Sequence, residues 1–218
     1  MDIAGGMKFS ARLVPAVFLL LTLAGCYFDH PLTGGASKDI NTWLLGVWES
    51  TDDKGRVSRV MVTPAKADRY SVQLEVPGKT PKEIKKYEFE AWPSKVGDTL
   101  FLSLHCQTSP GDIPTGSFVF AHVQLLDQNH VRTHGLKLDA PPSASSYELR
   151  KEVRSKLKDR SLYEGVPSVA WSRVAEVFWS PNGTDPTFKP VRVQTDMVRG
   201  ADDTKDPTEK LFRNHSNY

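Results

Sequence analysis

RYSVQLEV, residues 69–76, alternates apolar and polar side chains along its length. Tyr70, Val72, Leu74 and Val76 fall on one side; Ser71, Gln73 and Glu75 fall on the other. A period of two marks a strand with one buried face, because successive side chains leave a strand in opposite directions. The neighbouring segments repeat the pattern. Upstream, GVWES (46–50) and RVSRVMVT (56–63) flank the polar turn TDDKG, and Pro64 is expected to end the second strand. Downstream, the turn PGKTP leads into KYEFEAW (86–92), with Tyr87, Phe89 and Ala91 on one face. TLFLSLHC (99–106), SFVFAHVQLL (117–126) and HVRTHGLKL (130–138) follow.

The period changes after Pro141-Pro142. Leu149, Val153 and Leu157 recur every fourth residue, which predicts a helix over 145–158 with one narrow apolar face. Ser145 and Glu148 have the spacing of a capping box, in which each side chain satisfies a backbone donor of the other. Gly165 and Pro167 mark the stop, and Val169–Trp179 (VAWSRVAEVFW) is the last strand. Asp39–Leu45 (DINTWLL) suits one short helical turn with Asp39 as its N-cap. About eight hairpin-linked strands, with one helix before the last, predict a mainly β chain: an up-and-down antiparallel barrel that manages its edges by closing on itself.

Gly46-Val47-Trp48 opens the first strand just after that helical turn. It resembles the G-x-W signature of lipocalins, and the late helix suits the same architecture. The resemblance covers roughly residues 39–179. It implies a lipocalin-like barrel, a tryptophan packed across one end, and an interior that holds side chains or one small ligand. Trp48, Tyr70, Val72, Leu74, Tyr87 and Phe89 are the expected lining. In the family an arginine covers the tryptophan; here Arg173 lies within the last strand rather than past it. The layout is also similar to bacterial lipoproteins that open with L-x-G-x-W-E-S.

The N-terminal segment reads MKFSARLVPAVFLLLTLAG over 7–25, with Lys8 and Arg12 ahead of the apolar run Leu13–Leu23. That run is too short to span a bilayer and reads as a secretory signal, with Met7 a better start than Met1. Leu23-Ala24-Gly25-Cys26 resembles the lipobox of bacterial lipoproteins. The resemblance implies diacylglyceryl transfer to the Cys26 thiol, cleavage before it and acylation of the new amine. Two or three chains anchor stably where one does not. Tyr27, not Asp, follows the cysteine, which in enteric lipoproteins points to the outer membrane. The expected division is 1–25 signal peptide, 26–38 a Pro/Gly-bearing tether, 39–179 barrel, and 180–218 a polar tail. The tail is expected to be largely disordered, with Phe188–Val193 as a short extended piece.

Composition narrows the function. A net charge of +2 over 218 residues, without a basic aromatic stripe, gives no basis for nucleic-acid binding. Acylation of Cys26 would leave Cys106 without a disulfide partner, and Cys106 is expected to be a buried, idle thiol. No G-x-S-x-G, P-loop or H-E-x-x-H motif occurs, Glu88 and Glu90 read as a solvated edge, and no catalytic constellation is assigned.

His105, Cys106, His122, His130 and His134 fall on consecutive strands. A three-residue loop at Asp127-Gln128-Asn129 puts His122 opposite His134 and Gln124 opposite Arg132. Val123, Leu125, Val131, Thr133 and Gly135 then face inward. Two cross-strand histidines could ligate zinc, but a third ligand at proper spacing is missing, so a solvated polar face is expected and no metal or cofactor is assigned. Arg150, Lys151, Arg154, Lys156 and Lys158 give the helix a charged outer face that could meet anionic headgroups or a partner. The expected function is a membrane-anchored envelope lipoprotein, not an enzyme, whose barrel takes a small apolar or amphipathic molecule. The alternative is a filled barrel acting as a structural or interaction protein with an envelope partner.

Overall fold

The computed structural model describes residues 27–80, 82–159, 161–166, 168–178 and 187–190. The expected signal segment, Cys26 and most of the tail lie outside them.

Eight strands close into an antiparallel barrel: β1 (Gly46–Thr51), β2 (Val57–Lys66), β3 (Arg69–Pro77), β4 (Ile84–Val96), β5 (Thr99–Thr108), β6 (Phe118–Leu125), β7 (His130–Gly135) and β8 (Ser168–Phe178). Each pairs with the next, and β1 pairs back onto β8, with Trp48 opposite Arg173 and Val47 opposite Ala175. Closure satisfies the backbone groups that an open sheet leaves along its edges. Gly46 makes the seam possible: its φ is 150°, and a Cβ there would lie 2.8 Å from the Ala175 carbonyl oxygen. A short β9 (Thr187–Pro190) pairs with Ala175–Phe178, where β8 runs past the start of β1.

Among the described residues one α-helix, α1 (Ser146–Asp159), precedes β8 as the period change predicts. Its capping box forms: the Ser145 N–H donates to Glu148 Oε2 at 2.8 Å, and the Glu148 N–H donates back to Ser145 Oγ at 3.4 Å. The short turn before β1 is a 3-10 helix over Thr42–Leu44. Asn41, not Asp39, caps it, because Asn41 directly precedes the turn and its Oδ1 accepts from the Trp43 N–H at 3.0 Å.

Pro64 and Pro93 lie within strands, although Pro64 was expected to end its strand. β2 continues past Pro64 to Lys66 through a register shift that absorbs the missing donor. Pro93 sits in β4 two residues beyond Ala91, the partner of Tyr70 at the start of β3. Its carbonyl accepts from the Ser37 N–H at 2.8 Å, so that side of Pro93 faces away from β5 and its lack of an N–H breaks no ladder bond.

β4, β5 and β6 each bury apolar side chains on both faces. Inward, Phe89, Ala91, Cys106 and Val119 join Trp48, Tyr70, Val72 and Leu74 in the barrel core. Outward, Trp92, Phe101, Phe118 and Phe120 form a second core with Leu149 and Val153 of α1 and with Leu162.

Residues 28–37, expected to be tether, also pack on this outer wall. Phe28 is 3% exposed and stacks on Phe120 at 5.3 Å, while Leu32 is fully buried. Thr33 Oγ1 and Ser94 Oγ lie 2.8 Å apart, and Ser94 Oγ meets Ser103 Oγ at 2.8 Å. Burial of Phe28 and Leu32 is worth roughly 1.5–3 kcal/mol each, enough to hold a short segment that its Pro and Gly content would otherwise leave loose.

Candidate functional site

The barrel encloses a cavity of about 270 Å³. A plug closes the end where β1 begins. Tyr70 Oη accepts from the Asn41 N–H at 2.6 Å, and Trp48 Nε1 donates to the Leu44 carbonyl at 3.0 Å. The Arg173 guanidinium lies 4.5 Å from the Trp48 ring centroid and donates to the Trp43 carbonyl. Thus Arg173, from within β8, supplies the cover over Trp48. Burial lowers its pKa and raises that of Tyr70 to about 12, so neither group changes charge near neutrality.

Above the plug the wall is apolar. Val60, Val62, Val72, Leu74, Phe89 and Leu104 line one side, and Val119, Val123, Val131, Val169 and Trp171 line the other. The Trp171 indole N–H is satisfied by Thr133 Oγ1 at 2.9 Å. Several of these inward side chains, among them Val60, Val62, Leu104, Val123 and Val169, are only partly buried. They pack against the buried core on one side and border the cavity on the other, and this distinguishes the interior from a fully packed one.

At the other end the wall includes Gly135, Leu136, Lys137, Gly165 and Val166, where β7 leaves the barrel and the chain returns to β8. Lys137 and Gly165 are the exposed members of the lining and mark the mouth. A Cβ on Gly135 would lie 2.9 Å from Val166 Cγ1, so glycine lets the returning segment cross the end of β7 closely.

Five of the six residues expected to line the interior do so: Trp48, Tyr70, Val72, Leu74 and Phe89. Tyr87 does not. It is buried in the core beside the cavity, and its hydroxyl donates to Asp112 Oδ2 at 2.8 Å, next to Lys85 at 2.6 Å. Hydrogen bonding from Lys85 and from Tyr87 holds the Asp112 carboxyl below its usual range. The rim at Gly135–Lys137 and Gly165–Val166 was not anticipated. Only Gly135 hinted at a close approach there.

The histidine register is as the hairpin predicts, with His122 opposite His134 and Gln124 opposite Arg132. Their face is outer, but it is not simply solvated. A 3-10 turn over Ser161–Tyr163 lies on it, and Tyr163 Oη is 2.8 Å from His122 Nδ1. Burial, then the neighbouring His134, lowers the His122 pKa to about 4. Burial, then Arg132, lowers that of His134. Burial raises the Tyr163 pKa to about 12. Among the described residues, no three His, Cys, Asp or Glu side chains converge as a metal site.

Cys106 is fully buried, and burial raises its thiol pKa. Glu88 lies on the exposed face of β4, where it accepts from Thr108 Oγ1 at 3.0 Å. On α1, Lys156 is held by Asp139 at 2.8 Å and Glu152 at 2.9 Å, which ties the helix to the segment that follows β7.

The class defined by this geometry is an antiparallel eight-stranded barrel with an apolar, one-mouthed interior cavity. No protein-family model, curated protein or solved structure matches the chain.

Proposed function

We propose that the chain is a lipid-anchored bacterial envelope lipoprotein whose barrel binds one small apolar or amphipathic molecule. The supporting observation is the ring of apolar inward side chains left partly accessible around about 270 Å³ of space. An unfilled apolar interior leaves dispersion contacts unmade, and an apolar ligand would supply them. A filled barrel serving only as an interaction protein would have these side chains packed on one another. The lipobox-like Leu23-Ala24-Gly25-Cys26 supports the anchor, with the outer membrane favoured by Tyr27. The proposal assigns no reaction and no cofactor.

The soluble chain beginning at Tyr27 tests the binding reading. Native mass spectrometry after gentle purification should show a co-purifying small molecule, and an environment-sensitive apolar dye should brighten on binding. A clean apo mass together with a silent dye would overturn it. Cys26→Ser tests the anchor separately, since it should abolish acyl labelling and release the protein from membranes. Membrane retention of that variant would refute acylation as the attachment.

A further inference from the structure

The chain approaches the barrel beside the mouth of the cavity. The Phe28 N–H donates to the Phe118 carbonyl at 2.9 Å, and the Phe118 N–H donates back to the Phe28 carbonyl at 2.8 Å. This ties the backbone to the first residue of β6. The Asp29 N–H donates to the Pro142 carbonyl at 2.8 Å, on the connection that leaves the mouth at Lys137. Tyr27 packs against the interior cluster that contains Ile113, from the β5–β6 loop at the same end. Only Tyr27 separates Phe28 from Cys26, and two residues of extended chain reach at most about 7 Å.

An acyl group on Cys26 would therefore have little slack. We infer that the mouth-bearing end of the barrel lies on the bilayer, and that the cavity takes a single-chain anionic amphiphile directly from the lipid phase. This inference rests on acylation of Cys26 and on ligand binding as proposed above.

Surface composition alone does not choose the end. The mouth end exposes Ile84 at 59% and Val57 at 47%, while the plugged end exposes Trp43 at 54% and Leu126 at 40%. The position of the anchor decides. At the mouth end, Lys54, Lys79, Lys82 and Lys137 are exposed in or beside the turns, interspersed with Asp53, Glu83 and Asp139. Such a mixed but lysine-bearing rim suits a headgroup layer.

The ligand class follows from the lining. Among the described lining residues Lys137 is the one Asp, Glu, Lys or Arg, and it stands at the mouth. An amphiphile would lie with its chain along the apolar wall and its anionic head beside the Lys137 ammonium. A head directed inward would meet a mostly apolar wall, where Tyr70 and Thr133 are already hydrogen-bonded, and would lose its hydration without a charged partner.

The test uses the mature acylated protein in phosphatidylcholine–phosphatidylglycerol vesicles that carry a headgroup quencher. A fluorophore is placed through Lys137→Cys at the mouth or through Ala67→Cys on the β2–β3 hairpin at the plugged end. Ten-residue strands separate these ends by on the order of 25 Å after allowing for tilt. Quenching should be several-fold stronger at position 137. Equal quenching, or stronger quenching at 67, overturns the inference.

The second arm inserts about 15 Gly/Ser residues between Tyr27 and Phe28, which leaves the docked segment intact and gives the anchor slack. Transfer of a fluorescent fatty acid from vesicles into the barrel should slow several-fold at unchanged equilibrium affinity. An unchanged transfer rate overturns the direct route. Absence of acyl label, or absence of fatty-acid binding by the soluble chain, defeats a premise and the inference with it. Acylated, ligand-binding protein with equal quenching defeats the orientation alone.

Discussion

Leu32→Ala, made in the soluble chain beginning at Tyr27, separates a docked N-terminal segment from a tether. Leu32 is fully buried in the outer-wall core with Phe28, Phe118 and Phe120. Truncating a buried leucine removes its transfer free energy and leaves a cavity that the surroundings fill only partly, about 2–5 kcal/mol in total. We take about 3 kcal/mol, because a segment near a chain end can relax more than a strand. The same change in a solvated tether would stay within about 0.5 kcal/mol. Urea unfolding followed by tryptophan fluorescence reads the difference. With a slope near 2 kcal/mol per molar, the midpoint should fall by about 1.5 M. By heat, the loss corresponds to about 6–12 °C for a domain of this size. A midpoint shift below about 0.25 M at unchanged slope would refute the packing argument for the whole 28–37 segment.

Other outcomes follow from the interior and from its buried titratable groups. Val123→Trp grows into unoccupied space from a partly buried position on β6. It should weaken dye or fatty-acid binding by at least about tenfold while changing stability by less than about 1.5 kcal/mol. A stable variant with intact binding would show that the cavity is not the site. The His122 pKa of about 4 lies below its ordinary 6.5, so the unfolded chain binds more protons between those values. The contribution is therefore full above pH 6.5 and is lost as pH falls toward 4. Comparing urea midpoints at neutral pH and near pH 5, His122→Gln should remove about 1–2 kcal/mol of the acid-induced loss, a figure discounted for partial exposure. An unchanged pH slope in that variant would argue against a neutral, buried His122. Cys106, fully buried with a raised thiol pKa, should resist thiol reagents in the folded soluble chain and react once the chain unfolds. Rapid labelling of folded protein would contradict its burial.

Strand order and register were legible because they depend on local alternation. Tyr70, Val72, Leu74 and Val76 all face inward, and the pairing of His122 with His134 follows from hairpin geometry alone. The docking of residues 28–37 was not legible, because Phe28, Leu32 and Ala36 sit among Pro and Gly residues that break the helix their spacing would otherwise suggest. A signal did exist on the partner surface. SFVFAHV has aromatic residues on one face and aliphatic residues on the other, so β6 needs cover on both. The three-residue apolar stripe of α1 is too narrow to cover Trp92, Phe101, Phe118 and Phe120 by itself. Something else in the chain had to lie there. Tyr87 was misplaced for a related reason. Alternation shows which face a side chain takes, but not whether that level of the barrel is hollow or packed. The histidine face was misjudged because the 3-10 turn that covers it comes from a distant part of the chain, with Tyr163 forty-one residues beyond His122.

The seam between β1 and β8 also constrains how the molecule is made. Val47 meets Ala175, and Trp48 meets Arg173, so the ring cannot close until most of the chain has been synthesised. Until then β1 presents an unpaired edge. Such distant pairing is slow to form, on the order of milliseconds to seconds, because a long loop must be ordered before its contacts reward it. The docked N-terminal segment waits as well, since Phe28 cannot seat before Phe118 exists. Folding of this chain should therefore be a late, concerted event, and the interval before it is when the apolar interior is most open to aggregation.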